Sequence, residues 1–145
     1  GQGIRFKESD VRPMGRDTRG VRGIRLRDGD EVVAAACVDE GEELLLVTSG
    51  GYGKRTRVSE FPLRNRGGIG VKAIKLTRVR GVLVGALAVS AGDQAFITSS
   101  DGIVIRQSVD EISRQRRDST GVRVMNLEDD ATISAIALVP REDEE

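Results

Sequence analysis

The chain has no histidine and no tryptophan, and its 145 residues include one cysteine, one tyrosine and three phenylalanines. Without histidine, the commonest general base and metal ligand is missing. A single cysteine makes neither an internal disulfide nor a thiolate cluster. Cys37, within "VVAAACVD", is expected to be a buried small hydrophobe in a core strand. Aromatics at 3% leave Val, Ile, Leu and Ala to build the core, and they argue against base stacking on single strands. No apolar run approaches the ~18 residues of a membrane span, and no signal peptide leads the chain. A cytoplasmic protein with no membrane partner is expected. "GGIG" lacks the Lys-Ser/Thr that completes a phosphate loop. Asp28, Asp30 and Glu31, like Glu128, Asp129 and Asp130, lack calcium-loop spacing and read as solvated turn residues. Tyr52 reads as packing. No catalytic residue, metal site or cofactor is expected.

What is present is charge, and it is segregated. The formal net charge is zero, yet residues 54–80 carry nine Lys/Arg against Glu60 alone, while 28–53 carry seven acids and no base. Arginine outnumbers lysine nineteen to four. That bias suits forked contacts to phosphate, and high-GC codon usage would produce it equally.

The basic residues recur at one phase. "PMGRDTRGV" (13–21), "LRNRGGIGV" (63–71) and "RQRRDSTGV" (114–122) each place an arginine four residues before a Gly-Val pair: Arg16, Arg66 and Arg117. The flanking segments repeat as well. "ELLLVTS" (43–49) and "QAFITSS" (94–100) are apolar runs of strand length followed by glycine turns. Return strands "IRFKESDV" (4–11), "KRTRVSEF" (54–61) and "IRQSVDEI" (105–112) align, as do "VRGIRL" (21–26), "VKAIKL" (71–76) and "VRVMNL" (122–127). In the second of these, Val71, Ala73 or Ile74 and Leu76 are inward candidates with Lys72 and Lys75 outward; the alternation slips by one, which a β-bulge would explain. Each unit closes on a continuous apolar run, at 31–39, 82–90 and 132–140, suited to a strand buried on both faces.

Four strands per unit and a period of about fifty residues predict an all-β, propeller-like array of four-stranded blades. The blades are expected at 1–39 (incomplete), 40–90 and 91–140, followed by an acidic tail at 141–145. Gly1 aligns with Gly51 and Gly102 inside the hairpin turn, so the first unit has no opening strand. The chain therefore reads as a fragment of a larger ring.

In each unit the basic side chains fall on the second loop and on the outward side of the third strand. They are Arg16, Arg19, Arg22 and Arg25; Arg64, Arg66, Lys72 and Lys75; Arg114, Arg116, Arg117 and Arg123. Blades related by rotation would align these along one rim as a curved basic track. Counterion release gives such a track sequence-independent affinity for duplex DNA. Duplex following it must bend, at a cost on the order of 1–6 kcal/mol per 40–90°. Loss of Arg114, Arg116 and Arg117 together is expected to weaken binding and leave stability unchanged, since exposed arginines contribute little to folding. The competing reading is a protein-interaction scaffold with a charged rim.

The strand order, the "SSDG" hairpin, "GRDTRGVRGIRL" and "GVRVMNL" resemble the repeats in the C-terminal domains of DNA gyrase A subunits, through about Val139. The resemblance implies a β-pinwheel whose blades exchange a strand with their neighbours and whose perimeter wraps duplex DNA. It also implies a parent A subunit that cleaves DNA elsewhere and a B subunit that supplies ATPase activity in an A2B2 heterotetramer, with ATP and Mg2+ bound outside this fragment. The family's Q-R-R-G-G-K-G box has no intact copy: Gln115–Gly121 and Arg64–Gly70 each keep four of its seven positions. Degenerate boxes are also found in the similar C-terminal domains of topoisomerase IV; the closeness of the repeats favours gyrase.

Overall fold

The computed structural model describes residues 1–11, 13–14, 16–17, 19–39 and 42–140; the acidic tail lies outside them. Among the described residues nine strands run β1 (Gln2–Gly3), β2 (Glu43–Thr48), β3 (Tyr52–Arg57), β4 (Val71–Lys72), β5 (Leu83–Val89), β6 (Gln94–Ser99), β7 (Val104–Ser108), β8 (Val122–Arg123) and β9 (Ile133–Leu138). They form three antiparallel sheets, ordered β1-β4, β5-β2-β3-β8 and β7-β6-β9.

Within the second and third repeats the first strand is central, flanked by the return strand and the last strand of its own repeat. The third strand pairs instead with the return strand of the preceding repeat. β4 lies on β1 and β8 lies on β3. The return segment stops short of its expected end. After β3, Val58–Glu60 closes one 3-10 turn, and Glu8–Asp10 and Val109–Glu111 do the same. Val58 and Val109 anchor two of these turns as buried apolar residues.

Side chains alternate across β2, sending Leu45 and Val47 to one cluster and Leu46 to another. The first cluster joins Leu45, Val47 and Val89 with Ala95, Ile97, Val109, Ile112, Met125 and Ile133 of the next repeat. The second joins Leu46 with Phe61, Ala73 and Ile74. Each core is therefore shared between sheets. Burial of a leucine or isoleucine of this kind stabilises by about 1.5–3 kcal/mol. β5 meets β9 closely enough that a Cβ on Gly85 would lie 2.9 Å from Ile136 Cδ1.

Expectations for the closing apolar runs change. The strand buried on both faces is β2, the first of the second repeat, and not a closing strand: β2 is buried at all positions but Leu44, whereas β5 and β9 are mostly half-buried or exposed. Residues 31–39 form no strand. The equivalent runs β5 and β9 pair with their own repeat's first strand, and the first repeat of this chain has none to offer. Accordingly Val32 is 62% exposed, and Cys37 is exposed rather than buried. The phase slip in "VKAIKL" is real: Ala73 and Ile74 are both buried, and both amides donate to Gly1 O, at 2.8 and 3.4 Å. Val124 and Met125 repeat this two-to-one arrangement of a bulge on Gly51 O, at 2.8 and 3.3 Å.

Candidate nucleic-acid interface

The third strand of one repeat lies beside the basic loop of the next. Gly67 N donates to Gly23 O (2.6 Å) and Arg25 N to Gly68 O (2.7 Å), tying the 21–26 segment to loop 63–70. One repeat later, Lys75 N donates to Ser119 O (3.0 Å), tying the segment after β4 to loop 114–121. Arg22 and Arg25 thus accompany Arg64 and Arg66, while Lys72 and Lys75 accompany Arg116 and Arg117. Arg25, Arg64, Asn65, Gly67 and Gly68 line a shallow cleft.

The second and third loops end on a glycine with no alternative. Gly121 has φ 87°, and a Cβ there would sit 2.8 Å from Gly53 O where β8 meets β3. Gly70, at φ 86°, makes an even tighter approach to Gly3 O at the β4–β1 pair. Both the left-handed backbone and the strand-to-strand spacing exclude a side chain.

The twelve basic residues fall into two groups by what their heads touch. Arg66 is half-buried, its Nη1 donating to Arg22 O (3.1 Å) and its Nε to Asp10 O (3.0 Å). Arg117 holds the same place one repeat on: Nη1 donates to Lys72 O (2.9 Å), and its amide meets Glu60 Oε1 at 3.3 Å. Arg22 and Lys72 are equivalent, as are Asp10 and Glu60. In the second and third repeats the arginine that marks the repeat is thus an inter-repeat tie. Arg114 is tied as well, by Nε to Glu43 Oε2 (2.6 Å) and Nη2 to Glu43 Oε1 (3.1 Å). Arg16, Arg19, Arg22, Arg25, Arg64, Lys72, Lys75, Arg116 and Arg123 are exposed. Arg123 lies against Tyr52, with its guanidinium carbon 5.2 Å from the ring centroid and Nη2 donating to the hydroxyl at 2.8 Å.

Sequence reasoning missed the groups beneath the loops. Glu43 is buried on the first strand and takes both Arg114 and Arg55, the latter at 3.1 Å. The hydrogen bond from Arg114 holds its carboxyl below the usual carboxylate range against the opposing effect of burial, with the charges of Arg55, Arg114 and Arg57 assisting. Glu43 in turn raises the Arg114 pKa, chiefly through that hydrogen bond. The expectation that Arg114 is dispensable to the fold is therefore corrected: removing it strips a buried carboxylate of its two-bond partner. Arg55 Nε also donates to Ile112 O (2.7 Å), as Arg5 Nη1 does to Phe61 O (3.1 Å) one repeat earlier. Lys54 is fully buried under loop 114–121. Among the described residues, no three His, Cys, Asp or Glu converge as a metal set, and no helix is long and apolar enough to cross a membrane.

The profile of the family described as DNA gyrase C-terminal domain, beta-propeller, matches residues 1–39, 42–90 and 93–140. A DNA gyrase A subunit from Staphylococcus epidermidis is 43% identical over 143 residues, covering 97% of this chain and 16% of that protein. One from Mycobacterium tuberculosis is 45% identical over 139 residues, covering 94% and 17%. The chain thus spans about a sixth of the length of these relatives. A solved DNA gyrase A C-terminal domain superposes with a TM-score of 0.88 at 32% identity, over 95% of this chain and 47% of that one. A topoisomerase IV C-terminal domain superposes at 0.87 with 23% identity, over 96% and 44%, a likeness of fold.

Proposed function

The chain belongs to the family of β-propeller DNA gyrase C-terminal domains, and from that premise we propose that it binds and bends duplex DNA along its rim without regard to sequence. The observation that carries this reading is the recurring juxtaposition of a third strand's outward basic residues with the next repeat's basic loop. Arg22, Arg25 and Arg64 form one such group, and Lys72, Lys75 and Arg116 the next, each held by backbone hydrogen bonds between repeats. Arg123 extends the track, and Arg16 and Arg19 begin it. Arg66, Arg114 and Arg117 hold the frame and add their charge to its field. Blades at 1–39, 40–90 and 91–140 are the units of this arrangement.

A track of exposed Arg and Lys engages phosphates and reads no base edge, so affinity falls steeply with salt and varies little with sequence. In the parent enzyme the domain presents bent duplex for ATP-dependent negative supercoiling. Its partners are the B subunit, in an A2B2 assembly, and the remaining parts of the parent A subunit. ATP and Mg2+ are held elsewhere in that enzyme, which works in the cytoplasm at the nucleoid. Identities of 43–45% to proteins named as gyrase A subunits support gyrase over topoisomerase IV. The test is a labelled mixed-sequence duplex carrying a fluorophore at each end. Binding should bring the ends together, and unlabelled duplex of unrelated sequence should compete fully. A protein scaffold would leave the duplex straight and unbound.

A further inference from the structure

Lys54, at the start of the return segment "KRTRVSEF", points its ammonium into the loop of the next repeat. Its Nζ donates to Arg116 O (2.6 Å), Arg117 O (2.9 Å), Ser119 O (3.1 Å) and Ser119 Oγ (3.1 Å). One residue pair along, Thr56 Oγ1 donates to Gln115 O at 3.0 Å. Four loop carbonyls are therefore turned toward one strand of the preceding repeat. A planar trans peptide sets its N–H opposite its C=O, so the amides of Asp118 and Thr120 are turned away from the ammonium.

The other repeats place isoleucine at this position, Ile4 and Ile105. Ile4 lies under loop 63–70, where a Cβ on Gly68 would be 3.4 Å from its Cδ1. That loop contains Gly67 and Gly68, the former at φ 87°; loop 114–121 has Asp118 and Ser119 instead. A core that takes isoleucine at two of three equivalent positions does not need lysine for packing. A fully desolvated ammonium is costly unless it is hydrogen-bonded throughout, and here every proton has an acceptor.

We propose that Lys54 is a positioning residue for DNA recognition: its ammonium fixes loop 114–121 in the shape that sets Arg116 beside Lys72 and Lys75. Arg116, which contributes its carbonyl to Lys54, is exposed, whereas Arg114 of the same loop is held by Glu43. This inference rests on the DNA-binding reading for its consequence, although not for the loop order itself.

The groups facing Lys54 are Glu60 of its own repeat and Arg117 and Asp118 of the loop. Burial pushes the Lys54 pKa down to about 8; Asp118 and Glu60 oppose the drop and Arg117 adds to it. The folded pKa lies below the unfolded one, so the linked contribution to global stability rises with pH above about 8. The loop's charge-assisted bonds weaken over the same interval. Two quantities should therefore move in opposite directions, which a residue that only packs would not produce.

The test uses the 145-residue chain and its Lys54→Met variant, which keeps the stem and removes the charge; Lys54→Ile supplies the residue of the other repeats. Amide hydrogen exchange in loop 114–121 and affinity for a mixed-sequence duplex are read at about pH 7 and about pH 9. At the lower pH, Lys54→Met should exchange faster in that loop and bind about two- to tenfold more weakly, the cost of ordering the loop on binding. Wild-type affinity should fall toward the variant's at the higher pH, while the variant's changes little. A folded variant with wild-type loop exchange and the wild-type pH profile would overturn the proposal. Loop 63–70 over Ile4 is an internal control. If both substitutions unfold the chain, exchange in the wild-type loop 114–121 should still rise with pH more than in loop 63–70, and equal rises would overturn the proposal. Should wild type bind no duplex, the DNA reading fails by itself, while loop exchange still decides the role of Lys54.

Discussion

Glu43 and its two arginines show how little a residue's own exposure says about its role. Arg114 has a side chain 46% exposed, whereas the Glu43 side chain it grips is only 10% exposed. A bidentate arginine on a carboxylate is fixed in geometry as well as charge, so the base of loop 114–121 is held to the first strand of the preceding repeat. The Glu43 pKa is lowered in the folded state. Its contribution is then fully present above the unfolded carboxylate value and lost as pH falls through the folded one. Glu43→Gln should therefore lower unfolding free energy by about 1.5–3 kcal/mol at neutral pH, the range for hydrogen bonds to charged groups. The difference from wild type should stay constant above about pH 5 and shrink below it. Urea unfolding at a series of pH values reads this directly; a pH-independent difference would mean that the charge on Glu43 does not matter. The outward basic residues were legible in the sequence because they recur at one phase. Glu43 and Lys54 were not, since Arg114 and the loop carbonyls they hold lie 62–71 residues away in the next repeat. A signal for Lys54 did exist: it stands where the aligned return segments carry Ile4 and Ile105, an inward position.

At the scale of the element, the third strands matter most, because each belongs by sequence to one repeat and by pairing to the one before it. β4 and β8 are two residues long and gain their stability from that pairing and from the buried residues that follow them, Ala73 with Ile74 in the first case and Met125 in the second. The glycines that end the second and third loops, Gly70 and Gly121, permit the approach. Gly121→Ala should cost more than left-handed strain alone, about 1–2 kcal/mol for a non-glycine residue, because its Cβ would press on Gly53 O. Gly20 gives the comparison: its φ is 76°, yet nothing lies within 4 Å of its Cβ position. Gly20→Ala should cost the strain only, so the denaturation midpoint should fall further for Gly121→Ala. Equal losses would show that the β3–β8 approach does not constrain the loop. The Arg-x-x-x-Gly-Val phase pointed to this glycine from sequence alone, whereas the exchange of strands between repeats did not follow from periodicity. The 31–39 run shows why: its composition matches β5 and β9, but a strand exists only where an edge is available to pair with it.

For the whole molecule, the three sheets and two shared cores set successive basic groups in a fixed relation, and this relation turns scattered charge into a track. The chain's net charge of zero rules out simple attraction of a polycation to DNA; any affinity must come from local fields. The most direct measurement is the slope of log affinity against log salt for a mixed-sequence duplex. It should be compared between wild type, a variant with Arg25, Arg64, Lys75 and Arg116 replaced by alanine, and a variant losing Arg78 and Arg106, which are exposed but lie outside the loops and third strands. The track variant should show a slope shallower by up to about 0.9 for each B-form DNA phosphate it no longer neutralises, with affinity reduced alike for unrelated sequences. The second variant should keep nearly the wild-type slope. A track variant with unchanged slope, or equal changes per charge in both variants, would contradict the claim that the third strands and loops together form the DNA-binding surface.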